Sequence, residues 1–264
     1  MTRKTYLVLL IVALLVAMTA ALAMAQEPAM VSVGHGIPGD DVGQPDPALP
    51  VDVIVDGACF LQDFEFGDFA GPVELPAGTY SVAIALSDED PDLCAGTVVI
   101  GPVDLTFEEG DNVTVFAHLT GDGLPGPAGV DVLGLGITAT VFDNDVSNVI
   151  AGYGRVTVRH TAWAPAVDID INRGWYRGRL VAGIEDLENP NQSEPLDTRP
   201  GAYAVSIFPA DSDEAVFEVH PFVTRPHLSQ IAYAVGSLEN ETFTLIVQTL
   251  DLGITPPGRP LPPG

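Results

Sequence analysis

The side chains that could do chemistry are few and scattered. Five histidines occur, His35, His118, His160, His220 and His227, and none stands in a His-Glu-x-x-His or a Cys/His zinc spacing. A Ser-His-Asp hydrolase commonly shows its nucleophile in a Gly-x-Ser-x-Gly elbow, and the chain has no such elbow. Gly134-Leu135-Gly136-Ile137-Thr138-Ala139 spells a dinucleotide loop. A strand-like Thr138 to Phe142 follows it, however, where a pyrophosphate needs a helix N-terminus. Paired carboxylates of the glycosidase type remain open among 36 acids, but nothing singles out two of them. His35 and His160 each end a strand-like run, and the pattern assigns them to hydrogen bonds that hold the loop that follows rather than to a metal.

Acidic turns are the other chemical resource, because Ca²⁺ takes several oxygen ligands from a turn. Asp88-Glu89-Asp90-Pro91-Asp92, Asp143-Asn144-Asp145 and Asp211-Ser212-Asp213-Glu214 are the candidates, and none completes an EF-hand loop. Asp143 and Asp145 are the best placed, since a cation there would stiffen a short junction; no other cofactor is implied. Trp163, Trp175 and Tyr176 are the aromatics to watch for contact with a sugar or a protein. The competing use for all three is core or intermodule packing.

Charge limits the partners. The chain carries a formal net charge of −26. Residues 26–154 hold 22 acids and no Lys or Arg, whereas residues 155–264 hold 14 acids and eight Arg. That field repels phosphate, which excludes nucleic acid and anionic membrane surfaces as partners. An unknown extracellular protein or glycan is left.

The elements that must position these residues are strands. Arg3 and Lys4 precede an apolar run from Tyr6 to about Ala23 and then Ala23-Met24-Ala25, the pattern of a secretory signal over residues 1–25. The run is long for a signal, so an uncleaved anchor helix is the alternative. Cys59 and Cys94 enclose 34 residues, and in an oxidising compartment they pair as a disulfide. Two buried free thiols are the other option. Beyond the signal, alternating or β-branched runs recur between Gly, Pro, Asp and Asn clusters, five or six to each half.

The same signals pass twice. Val31-Ser32-Val33-Gly34-His35 returns as Val156-Thr157-Val158-Arg159-His160, at an offset of 125. Val51-Asp52-Val53-Ile54-Val55 returns as Val167-Asp168-Ile169-Asp170-Ile171, and Pro76-Ala77-Gly78-Thr79-Tyr80 as Arg199-Pro200-Gly201-Ala202-Tyr203. Gly78 and Gly201 are expected at turns with positive φ, and Tyr80 and Tyr203 are expected to pack inward with a hydroxyl on the loop. The expected architecture is all-β: two tandem antiparallel sandwiches, immunoglobulin-like or transthyretin-like, over residues 26–150 and 151–252. A Pro-rich tail over 253–264 should stay out of any ladder.

These blocks resemble domain-of-unknown-function family 4397. Its module opens with a strand ending in His and a loop leading into Val-Asp-Val-x-Val, and it carries Leu-Pro-Ala-Gly-x-Tyr at its middle. His160-Thr161-Ala162-Trp163-Ala164-Pro165-Ala166-Val167-Asp168 is similar to the opening, and Leu75-Pro76-Ala77-Gly78-Thr79-Tyr80 to the centre. The first copy widens the opening loop to Gly36 through Pro50, and the second has Asp197-Thr198-Arg199-Pro200-Gly201 at its centre. The resemblance implies a secreted sandwich module and no catalytic residue. The expectation is a non-enzymatic extracellular or envelope protein for adhesion, surface structure or partner and glycan binding. A Ca²⁺-stiffened spacer and a hydrolase using unassigned acids are the competitors.

Overall fold

The computed structural model describes residues 27–87, 94–120, 131, 135–175 and 178–255. The signal segment, the Asp88 to Asp92 cluster, Tyr176 and the tail beyond Thr255 lie outside the described residues.

The first unit contains β1 (Ala29–His35), β2 (Val51–Val55), β3 (Ala58–Phe64), β4 (Phe69–Leu75), β5 (Gly78–Leu86), β6 (Val98–Phe107), β7 (Asn112–Leu119) and β8 (Ile137–Asp143). They form two sheets, β4-β1-β7-β8 and β3-β2-β5-β6. After the short β9 (Val149–Ile150), the second unit contains β10 (Gly154–His160), β11 (Val167–Arg173), β12 (Arg179–Leu187), β13 (Leu196–Thr198), β14 (Gly201–Pro209), β15 (Phe217–Thr224), β16 (Leu228–Val235) and β17 (Thr244–Asp251). Its sheets are β13-β10-β16-β17 and β12-β11-β14-β15, the same strand order met a second time. The chain is thus all-β, two sandwiches in tandem.

Two details differ from expectation. The sheets are not purely antiparallel: β1 runs parallel to β7, and β10 parallel to β16. In addition, Ile254–Thr255, assigned to the tail, forms β18 and pairs in parallel with β9. Pro cannot donate to a ladder, but Ile254 and Thr255 precede the prolines and keep their N–H groups.

Alternation builds each core. Val167, Ile169 and Ile171 face inward beside Tyr203, Val205, Ile207 and Phe222 of the same sheet and meet Val156, Val158 and Ala232 across the second sandwich. Val51, Ile84, Ile100, Ala117 and Leu119 do the same in the first. Tyr80 donates its hydroxyl to the Pro76 carbonyl at 2.8 Å, and Tyr203 to the Arg199 carbonyl at 2.6 Å, so each tyrosine ties its strand to the turn four residues upstream. Gly201 has a nearly extended φ of 158° and Gly78 has no positive φ. Neither therefore supplies the left-handed turn expected of it.

The outward faces of β7, β10 and β16 are buried as well, because the sandwiches pack sheet against sheet. Phe116 and Phe142 of the first meet Ile231, Tyr233, Val235 and Leu250 of the second, with Phe69 at the margin. Phe116 and Tyr233 stack with ring centroids 4.1 Å apart. The faces so buried are mixed in character: β7 brings Phe116 to the junction, whereas β10 brings Arg155 and Arg159.

Cys59 and Cys94 are joined in a disulfide. Closing a loop of sequence separation 35 removes unfolded-state entropy equivalent to about 3–4 kcal/mol. Replacing both cysteines by Ser should lower the melting temperature by at least about 5 °C, measured by scanning calorimetry; an unchanged melting temperature would contradict the assignment.

Candidate binding surface on the second sandwich

Each expected site residue except Tyr176 lies among the described residues. His35 donates from Nε2 to the Leu49 carbonyl at 2.9 Å and accepts the Ile37 N–H at Nδ1, 3.2 Å away. His160 donates from Nε2 to the Pro165 carbonyl at 2.8 Å and accepts the Ala162 N–H at Nδ1, 3.4 Å away. The same bidentate lock holds the opening loop of both sandwiches. It fixes the neutral tautomer, and burial pushes His35 down to about 4 and His160 below its ordinary value.

Asp143 and Asp145 do not form a metal cage; among the described residues no three metal-ligating side chains converge. The Asp145 carboxylate pairs with Arg155 at 2.6 Å, and Arg155 also reaches both oxygens of Asp197 and the hydroxyl of Ser147. Asp143 contributes its backbone carbonyl to Arg159. A guanidinium thus stands where Ca²⁺ was expected. Trp163 packs half-buried against the first sandwich and is tied by its backbone to Gly236 and Leu238, so it serves the junction.

A polar cleft of about 540 Å³ opens at the junction, lined in part by His118, Thr138, Thr140, Glu188 and Asn189. Thr140 donates its hydroxyl to Nε2 of His118 at 2.8 Å, and Nδ1 of His118 donates to the Leu119 carbonyl at 2.7 Å. This pair has the outline of a nucleophile and its base, yet the orienting group is a neutral carbonyl. Burial lowers His118 to about 4, too weak a base to activate a hydroxyl near neutral pH. The pair is a structural hydrogen bond.

Trp175 differs from all of these in being 74% exposed. It sits between β11 and β12 in Arg173-Gly174-Trp175-Tyr176-Arg177-Gly178-Arg179, which holds three of the Arg in an otherwise acidic chain. Gly174 has φ 84°, in the left-handed region. A Cβ on Gly178 would come within 2.2 Å of the Arg173 carbonyl oxygen. The two glycines therefore close the turn that presents the indole.

Trp175 stacks on His220 of β15 with centroids 4.4 Å apart and planes 23° from parallel. Leu180, 54% exposed, lies opposite Asn172, and Val223, 49% exposed, lies opposite Ala202. Strand alternation puts them on the outer face of β12-β11-β14-β15, away from the core side of Ile171 and Tyr203. Arg173 and Arg179 are direct cross-strand neighbours in line with Tyr203, so alternation puts them on the other face, at the end of the sheet. Like charges so placed repel, and among the described residues neither guanidinium has an acidic partner or hydrogen bond. Sequence analysis named Trp175; it missed His220 and the paired arginines, because strand register alone brings them together.

In class, then, this is a tandem β-sandwich protein with an exposed tryptophan stacked on a histidine of its second unit. A family model described as Domain of unknown function (DUF4397) matches residues 29–170, through the first sandwich and into β11. The chain belongs to that family. No curated protein matches it. Among solved structures, it is similar to a candidate cell adhesion protein of Bacteroides ovatus ATCC 8483 at 10% identity and TM-score 0.24, covering 88% of this chain and 99% of that one. Another candidate cell adhesion protein, from Bacteroides fragilis NCTC 9343, aligns at 9% identity and TM-score 0.21 over 87% of this chain and 99% of that one. The Bacillus anthracis TIE protein aligns at 10% identity and TM-score 0.21, covering 80% of this chain and 50% of that one. At such identities and TM-scores nothing about this chain's partners follows from theirs.

Proposed function

We propose that this chain is a non-enzymatic binding protein of the cell exterior or envelope, of adhesion type, and that the outer face of β12-β11-β14-β15 is its contact surface. Trp175 carries the proposal: a large indole, 74% exposed, is held on His220 on the same sheet face as the exposed Leu180 and Val223. An indole face suits a sugar ring. The ligand class that fits is a glycan. The disulfide supports an oxidising compartment. The repeated strand order, tyrosine tie and histidine lock support two diverged copies of one module.

A glycan array probed with the full chain should show binders, and Trp175→Ala should weaken them at least about thirtyfold without altering the circular dichroism. Retained binding by Trp175→Ala would overturn the assignment of the surface. A stiff structural spacer is the second reading, favoured by the guanidinium-stapled junction. It predicts a silent array and a silent pull-down against envelope material.

A further inference from the structure

We propose that the outer edge of β17 is a docking site for an extended, basic segment of a partner protein, which joins the sheet as a further strand. Four sheets of four strands end in eight edge strands, and most of these are blunted against pairing. Pro72, Pro102 and Pro221 interrupt β4, β6 and β15, bulges shift the register of β3 and β12, and β13 has three residues. Of the eight, β8 and β17 alone combine an unbroken register with the absence of proline.

Hydrogen bonds separate these two. Asn144 N–H donates to the Asn112 carbonyl and Thr120 N–H to the Gly136 carbonyl, so the even-numbered residues of β8 bond to β7 and the odd-numbered ones aim their backbone groups outward. At the ends of β8 these groups are taken, the Ile137 N–H by the Asp131 carboxylate and the Asp143 carbonyl by Arg159. In β17 the Leu252 N–H donates to the His227 carbonyl, and by the same alternation the N–H and C=O of Leu245, Val247, Thr249 and Asp251 point off the edge. Among the described residues nothing bonds to these groups. Val247 is 41% exposed, and Thr249 and Asp251 are exposed beside it.

Backbone and charge define the occupant. Donors and acceptors repeated at every second residue are satisfied together by an extended chain. Directly opposite residues of paired strands share a face, so the segment sets apolar or β-branched side chains beside Leu245, Val247 and Thr249 and a Lys or Arg beside Asp251. Residues 236–252 contain Glu239, Glu241 and Asp251 and no Lys or Arg, in a chain of net charge −26. That field draws a basic segment and repels an acidic one. A second copy is the poorer fit, because its own edge carries the same acids.

The full chain is tested with the end-blocked peptide Arg-Thr-Val-Thr-Val-Thr-Val-Arg, followed by amide NMR shifts and hydrogen exchange. In the free chain the amides of Leu245, Val247, Thr249 and Asp251 should exchange faster than those of Ile246, Gln248 and Leu250, and the peptide should slow the first set. Binding should saturate below about 5 mM and weaken at least about tenfold when the peptide's valines are N-methylated, when its arginines become glutamates, or in Val247→Pro, whose lost N–H faces outward. The methylated peptide keeps the test decisive if Val247→Pro fails to fold. Slow exchange of the outward amides in the free chain overturns the proposal, as does undiminished binding of the methylated or acidic peptide, or failure to saturate. Sedimentation of the full chain should show a monomer; a dimer that Val247→Pro dissociates would give the edge to a second copy and overturn the choice of partner. Trp175→Ala should bind the peptide unchanged, because Trp175 belongs to the other sheet, so this surface and the glycan surface can fail separately.

Discussion

Acidification from pH 6.5 to about 4.5 is expected to destabilise this protein, although a chain of net charge −26 would gain from neutralising its acids. Burial lowers His35 and His118 from 6.5 to about 4, and lowers His160 in the same direction. In the unfolded chain these rings bind protons near pH 6.5. Between about 4 and 6.5 the unfolded state therefore holds more protons than the folded one, and stability rises with pH across that window. Their contribution is complete above 6.5, falls as the pH drops, and is exhausted near 4. Structure shows the cost of folding around a charged ring: the Ile37 and Ala162 N–H groups would face a protonated Nδ1.

Each fully buried ring contributes at most about 3 kcal/mol, so the melting temperature should fall by about 10 °C or more over the window. Ordinary carboxylates protonate mainly below about pH 5, which leaves the upper part of the window to histidine. Scanning calorimetry at half-unit steps would show the slope, and His118→Gln should make it shallower. A melting temperature that stays level or rises from pH 6.5 to 4.5 would contradict the histidine locks.

Arg159→Met is expected to be the most damaging single change at the junction. Arg159 is 0% exposed and lies between the sandwiches, over the rings of Phe142 and Tyr233 at 4.6 and 5.2 Å. It donates to the side chains of Gln192 and Asn144, to the Tyr233 hydroxyl and to the Asp143 carbonyl. Among the described residues no carboxylate forms an ion pair with it; desolvation lowers its affinity for its proton, and Tyr233 and the charge of Asp143 oppose that. The network runs on, because Tyr233 donates to Gln248, and Thr114 of the first sandwich donates to Gln248 and accepts from the Asn144 amide.

Removing the guanidinium strands these acceptors away from water, at an expected cost of about 3–5 kcal/mol. Lys at this position keeps the charge and loses the fork, so Arg159→Lys should recover less than half of that loss. Two overlapping transitions in calorimetry, in place of one, would show that the sandwiches had come apart. Loss below about 1 kcal/mol would mean that the network adds little beyond the Phe116 and Tyr233 stack.

Edge and centre were unequally legible. Strands β2, β5, β7, β10, β11, β14 and β16 bury one or both faces, and burial writes itself as alternation or as continuous apolar runs. Strands β3, β4, β12 and β13 drew no expectation at all, and every one is the edge of its sheet. An edge strand faces water along one side, so it admits Gly, Pro and charge and loses its period. Pro102 and Pro221 hid the later parts of β6 and β15 in the same way, since proline reads as an end when it sits at an edge.

What could be read from residues alone was whatever depends on one stretch of chain: two passes of a sandwich pattern, the histidines that lock their own loops, and tyrosines that reach back four residues. Pairing across the chain was beyond it. The parallel pairs and the sheet-on-sheet junction depend on residues far apart in sequence. Register and packing bring such residues together, and neither leaves a period to read. Trp175 was legible as a side chain to watch, whereas its place on His220 exists only once β11, β14 and β15 lie side by side.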